Sequence, residues 1–229
     1  MEIQLQFKMN EKLFLRDPEN TDLGKKIILH SIQLIHKLGF ESFTFRKLAE
    51  DIGTTEAGIY RYFENKHRLL VYIIAWYWYW LEYRVSIQTN NVNDPVERLR
   101  IVIKLLATTV EDDIQTSHVN ENTLHQIIIA ESTKAFMTNH VTDDNKDQLF
   151  KPYKDLCKVL GDYILACNPN YKFPKSLASS MIEIAHLQNF FMHNLPALTD
   201  FGQQKDEAQI LHFVEDLVFG CLNIDARCL

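Results

Sequence analysis

Between residues 54 and 66 the chain gathers Thr54, Thr55, Glu56, Gly58, Tyr60, Arg61, Tyr62 and Lys66. Hydroxyls, one guanidinium and one ammonium stand together there, without a nucleophile beside a base. Such a set recognises rather than transforms. A guanidinium pairs in bidentate fashion with guanine, while hydroxyls and an ammonium suit phosphate oxygens. Arg61 is therefore the candidate base contact. Thr54, Thr55, Tyr60, Tyr62 and Lys66 are candidate phosphate contacts, supported by Thr44 and Arg46 from just upstream. Glu56 could accept from a cytosine amino group, although an acid at a helix start is also favoured by the local dipole.

The flanking residues say what must position this set. Thr44 is a good N-cap, Leu48, Ala49 and Ile52 fall on one helical face, and Gly53 can take the positive φ that ends a helix. Thr54 or Thr55 caps the next helix, whose Ile59 and Phe63 point inward at i, i+4. Glu56, Gly58, Tyr60 and Arg61 are left on the outer face. Two short helices around a tight turn, with a polar and aromatic outer face, are what a helix-turn-helix inserts into a major groove. Asn65 then caps a further helix and places Lys66 in its first turn, where an anion is also favoured by the N-terminal dipole.

From about Ile28 to Leu70 the sequence resembles the DNA-binding pattern of the TetR family of transcription regulators. RKLAEDIGTTEAGIYRYFENKHRLL, Arg46 to Leu70, carries most of the likeness, and Ile59 to Lys66 is its most specific piece. Ala57 departs from the pattern, since many members have Gly there. The resemblance implies an all-α protein: a three-helix reading domain over residues 21–68, then a helical effector-binding and dimerisation domain over 69–229, about nine helices in all. It also implies a homodimer through the last two helices and a double-stranded DNA operator. A repressor that lets go when a small molecule enters the second domain is the expected behaviour.

Charge fits a protein that touches DNA at one end. Residues 1–70 hold 11 Lys and Arg against 10 Asp and Glu, and the rest holds 13 against 20. An acidic body disfavours indiscriminate adhesion to nucleic acid. Cys157, Cys167, Cys221 and Cys228 show no CxxC spacing, so reduced thiols are expected rather than a zinc ribbon or disulfide scaffold. The longest run without charge or proline, Leu69 to Leu81, spans 13 residues, short of the roughly 20 a membrane helix needs. With no signal-peptide pattern, a cytoplasmic location is expected.

Along the rest of the chain, residues 1–20 form an arm in which Ile3, Leu5, Phe7 and Met9 alternate. A short strand would fit, and so would a loose tail or an arm that reaches DNA or a second subunit. Thr21 caps a first helix to about Leu38, with Ile28, Ile32, Ile35 and Leu38 as its buried stripe and Gly39 as its stop. Lys25 and Lys26 in its opening turns suit phosphate or plain solvent.

The helix from Lys66 to about Ile87 carries Tyr72, Trp76, Tyr77, Trp78, Tyr79, Trp80 and Tyr83, aromatic around its whole circumference. Such a helix must be buried on all sides or line a cavity. Trp76, Tyr79, Trp80, Tyr83, His125, His186 and Phe190 are the candidate walls of an effector pocket for an apolar or aromatic molecule, although ordinary core packing also uses such residues. Further helices are expected at about 95–110, 122–137, 149–167, 175–194 and 205–221, with the polar run TDDNKDQ and the loop NPNYKFP between them.

His186 and His193 share a face and His125 could approach them, but no third ligand stands at fixed spacing, so no metal and no cofactor is expected. No phosphate loop, GxSxG or HExxH appears. An all-α enzyme is thereby disfavoured. The competing reading is an architectural or protein-binding member of the same fold that uses DNA without an effector.

Overall fold

Caps and glycines cut the chain into helices where the local chemistry asks for them. The computed structural model describes residues 7–108 and 119–224. The expected alternation at Ile3 and Leu5, the far end of the 95–110 helix and Cys228 lie outside the described residues. All eleven described α-helices are separated by turns, and no strand occurs among the described residues. No described helix is long and apolar enough to cross a membrane.

Two compact units emerge, Met1–Trp80 with Glu111–Pro152 and Leu81–Val110 with Tyr153–Leu229. In the first, two 3-10 turns, Glu11–Leu13 and Pro18–Asn20, precede α1, Asp22–Ser42. Thr21 caps α1 by accepting from the Gly24 N–H at 3.0 Å. Ile28, Ile32 and Ile35 are buried as their spacing predicts, but Leu38 is 37 % exposed. The reason is Gly39, whose φ of +74° breaks the helix before one last turn, so that Phe40 takes the inward place. Next come α2, Phe45–Ile52, and α3, Glu56–Tyr60.

Helix α4, Lys66–Thr89, starts in the first unit and ends in the second. Every residue from Leu69 to Trp78 is buried, so the helix has no solvent face over this length. Burial and then the Glu19 carboxylate push the Tyr72 phenol up from its ordinary value. Three shorter helices complete the unit: α6, Glu121–Glu131, α7, Thr133–Phe136, and α8, Val141–Lys146. Helix α6 packs along α1, where the Glu131 carboxylate accepts from the Phe40 N–H at 3.0 Å.

The single helix expected over 122–137 is thus two, divided at Ser132, and the expected polar connection TDDNKDQ is mostly helical. Asp143 and Asp144 fall in the first turn of α8, where acids are favoured. Asp144 turns inward onto Arg68 at 3.0 Å and His67 at 3.5 Å, a pairing that lets a carboxylate be buried.

The second unit is built from α5, Pro95–Ala107, α9, Lys151–Cys167, α10, Pro174–Asn194, and α11, Glu207–Leu222. Pro at the first position of α5 and α10 fixes their starts, and Asp94 caps α5. Helices α5, α10 and α11 pack on one another, with Arg100 of α5 3.6 Å from Glu215 of α11. Tyr153 of α9 donates to Glu183 of α10 at 2.8 Å.

Candidate nucleic-acid interface

The two short helices α2 and α3 are assembled by local bonds that their sequence dictates. Thr44 Oγ1 accepts from the Lys47 N–H at 3.3 Å and starts α2. At its end Gly53, at φ +76° and ψ +40°, lets both its own N–H and that of Thr54 reach the Ala49 carbonyl, at 3.0 and 2.9 Å. Thr55 then caps α3 by accepting from the Gly58 N–H at 3.1 Å. Ile59 and Phe63 are fully buried, which pins the inner side of this five-residue helix to the core.

The outer side is left to solvent. Thr55, Glu56, Ala57, Tyr60 and Arg61 are exposed, as are Thr44 and Arg46 at the start of α2; Thr54 and Gly58 are half-buried. Tyr60 is 48 % exposed and rests edge-on against Phe45, with ring centres 5.0 Å apart, so its hydroxyl is held out on a braced ring. Arg46 pairs with Glu50 at 3.0 Å on the surface, a weak bond that a phosphate can replace. Arg61 meets no carboxylate among the described residues.

The steric constraint lies at Gly58, where a Cβ would come 3.0 Å from Thr54 Oγ1. Ala57, the departure from the family pattern, is exposed.

Two candidates stand elsewhere. Tyr62 is buried, with its hydroxyl 2.8 Å from Thr21 Oγ1, so it joins the end of α3 to the start of α1. Lys66 turns its ammonium inward onto the carbonyls of Phe40, Glu41 and Phe43, at 3.0, 3.1 and 3.1 Å. All three of its donors are thereby occupied at the α1–α2 corner, and the charge offsets the negative end of α1. Glu131 on the Phe40 N–H and Asp144 on Arg68 support the same region from α6 and α8. Helical periodicity carries no signal for these two acids, because their partners are remote in the chain.

The seven candidate pocket residues are shared between the units. Trp76, Tyr79, Trp80 and His125 belong to the first, and Tyr83, His186 and Phe190 to the second. Within the first unit, His125 Nδ1 lies 2.7 Å from the Tyr77 hydroxyl, and Phe7 stacks on Tyr79 at 5.9 Å and meets Trp76 edge-on at 5.5 Å. A half-open cavity of about 630 Å³ is lined by the arm between Phe7 and Glu19.

Residues 27–73 match the model of the bacterial regulatory proteins of the tetR family. Over those residues the chain carries the N-terminal region of the TetR family. The nucleoid occlusion factor SlmA of Vibrio vulnificus is 33 % identical over 73 residues, which are 32 % of this chain and 37 % of that protein. The match therefore spans little more than a third of SlmA.

Across the whole length the likeness to TetR-family structures is one of fold. A TetR-family regulator from Syntrophomonas wolfei superposes with a TM-score of 0.61 at 18 % identity, covering 88 % of this chain and 97 % of that one. AibR, solved with isovaleryl coenzyme A and operator DNA, gives 0.58 at 18 % identity over 85 % of this chain and 98 % of that one.

Proposed function

We propose that this TetR-family protein is a homodimeric transcriptional regulator that binds an inverted-repeat operator and is released from it by a small apolar or aromatic effector. The observation that carries the proposal is the outer face of α3: Glu56, Tyr60 and Arg61 exposed on a helix whose inner side is fixed by Ile59 and Phe63. Placed in a major groove, that face presents Arg61 to a base edge. Thr44, Arg46, Thr54, Thr55 and Tyr60 meet the flanking phosphates. Glu56 favours the helix start, and Gly58 keeps the first turn of α3 close to Thr54. Tyr62 and Lys66 hold the reading helices in place instead of touching DNA.

Dimerisation through α10 and α11 is supported by Leu187 and Phe213, which are large, apolar and exposed on those helices. A twofold axis then sets two reading helices about one duplex turn apart, roughly 34 Å. The buried aromatic run of α4 and the isovaleryl coenzyme A in the AibR complex support a response to a small molecule. By linkage, the effector must bind the released form more tightly than the DNA-bound form.

Selection from a random duplex library followed by footprinting tests the reading: an inverted repeat protected on successive turns is expected. Recovery of no preferred sequence overturns it. The similarity to a nucleoid occlusion factor favours a second reading, an architectural DNA binder without an effector. Native mass spectrometry of the purified dimer separates the two, because only the first predicts a co-purifying small molecule whose addition weakens DNA binding.

A further inference from the structure

The segment before α1 is fastened to the reading helices on both sides of one arginine. On the N-terminal side, the Leu15 N–H donates to the Tyr62 carbonyl at 2.7 Å, and Leu13 is buried. On the C-terminal side, Thr21 Oγ1 meets the Tyr62 hydroxyl at 2.8 Å, and Asp17 caps the Pro18–Asn20 turn. That turn lies so close to α1 that a Cβ on Gly24 would come 2.2 Å from the Pro18 carbonyl oxygen.

Arg16 is therefore held in one place although it is itself exposed. Its guanidinium lies 5.4 Å from the centre of the Tyr62 ring, and among the described residues it meets no carboxylate. Arg46, Arg68 and Arg100 each have one. Arg16 and Arg61 thus share the lack of an acidic partner, and both stand beside Tyr62, one against its ring and the other next to it in the chain.

From this we infer that Arg16 belongs to the DNA interface and takes a backbone phosphate beside the reading helix. The inference rests on the proposed operator binding. Its chemistry is that of an exposed arginine set against an aromatic ring, whose guanidinium N–H groups pair with phosphate oxygens. A phosphate contact positions the protein without reading sequence, so Arg16 adds affinity equally on every duplex.

The test uses the full chain and a duplex selected by the protein from a random library, with a scrambled duplex of equal length beside it. Association constants are measured against salt for wild type, Arg16→Ala, Arg16→Lys and Arg61→Ala. Removing one phosphate contact is expected to lower the slope of log K against log salt by about 1 in Arg16→Ala and to weaken both duplexes by the same factor, about 3- to 10-fold. Arg16→Lys restores the slope, which a purely structural role of the side chain would not require. A wild-type slope in Arg16→Ala, together with loss of sequence preference in Arg61→Ala, overturns the role of Arg16 and leaves the operator reading standing. Equal slopes in Arg16→Lys and Arg16→Ala also overturn it. Failure of the wild-type protein to bind either duplex removes both.

Discussion

The Lys66 ammonium lies 4.7 Å from the centre of the Phe40 ring while it donates to the Phe40 carbonyl at 3.0 Å. One residue thus supplies both a face and an acceptor to a single charge from α4. Together with the carbonyls of Glu41 and Phe43, this makes Lys66 the tie between α4 and the corner where α1 gives way to α2.

Lys66→Met keeps the aliphatic stem and removes the donors. It is expected to lower unfolding free energy by about 2 kcal/mol, since a charged hydrogen-bond donor is lost from partly buried carbonyls. Thermal denaturation of the purified protein checks this. A variant as stable as wild type, but with a salt slope of DNA binding reduced by about 1, would return Lys66 to the phosphate backbone.

Asp144→Ala removes the buried carboxylate that faces Arg68 and His67. Leaving Arg68 without its partner is expected to cost about 3 kcal/mol, more than an exposed surface pair contributes. Glu50→Ala, which breaks the exposed pair with Arg46, is expected to change stability by less than about 0.5 kcal/mol. Denaturant titration of the two variants side by side measures the contrast.

Gly24→Ala places a methyl where Pro18 backbone atoms lie at 2.2 to 2.7 Å. Alanine gains about 1 kcal/mol of helix propensity over glycine, but the overlap forces the Pro18–Asn20 turn away from α1. A net loss of at least about 1 kcal/mol is expected, and with it more rapid proteolysis before Thr21. Unchanged stability and cleavage would show that the turn accommodates a side chain at this position.

Arg61→Ala should lose about 1 to 3 kcal/mol of discrimination at one base position in each half-site. Its stability should equal that of wild type, because the side chain is exposed. Competition binding with single-base variants of the selected duplex reads the effect directly. An equal loss on all of them would make Arg61 a backbone contact.

Burial pushes the Cys157 and Cys167 thiols up to about 11, while Cys221 is exposed. Only the thiolate reacts with iodoacetamide, and a raised value keeps these two protonated below that pH. In a Cys228→Ser background, labelling at pH 8 is expected at Cys221 first, with Cys157 and Cys167 following as the pH rises toward 11. Peptide mass mapping over that range checks the order.

Features that depend on near neighbours are legible in the amino-acid sequence. Thr44, Gly53 and Asn65 act on groups within a few positions, and each does what its side chain or missing side chain suggests. Residues whose partners lie far along the chain are not legible in this way. By residue type and spacing Tyr62 and Lys66 suit phosphate, and only folding brings Thr21 to the one and the carbonyls from Phe40 to Phe43 to the other. Asp144 has the composition of a polar connection around it because Arg68 is more than 70 positions away. The same blindness applies to Leu38, displaced outward when Gly39 interrupts the helix and Phe40 fills the core.

At five residues α3 is far below the length at which a helix persists by itself, so its shape is lent to it by Ile59, Phe63 and the Thr55 cap. Scaffold and vocabulary are thereby separated. The exposed Glu56, Ala57 and Arg61 can be rewritten as a set without disturbing Ile59, Phe63 or the cap, which makes this short turn of helix a natural cassette for directing the protein to a different DNA word.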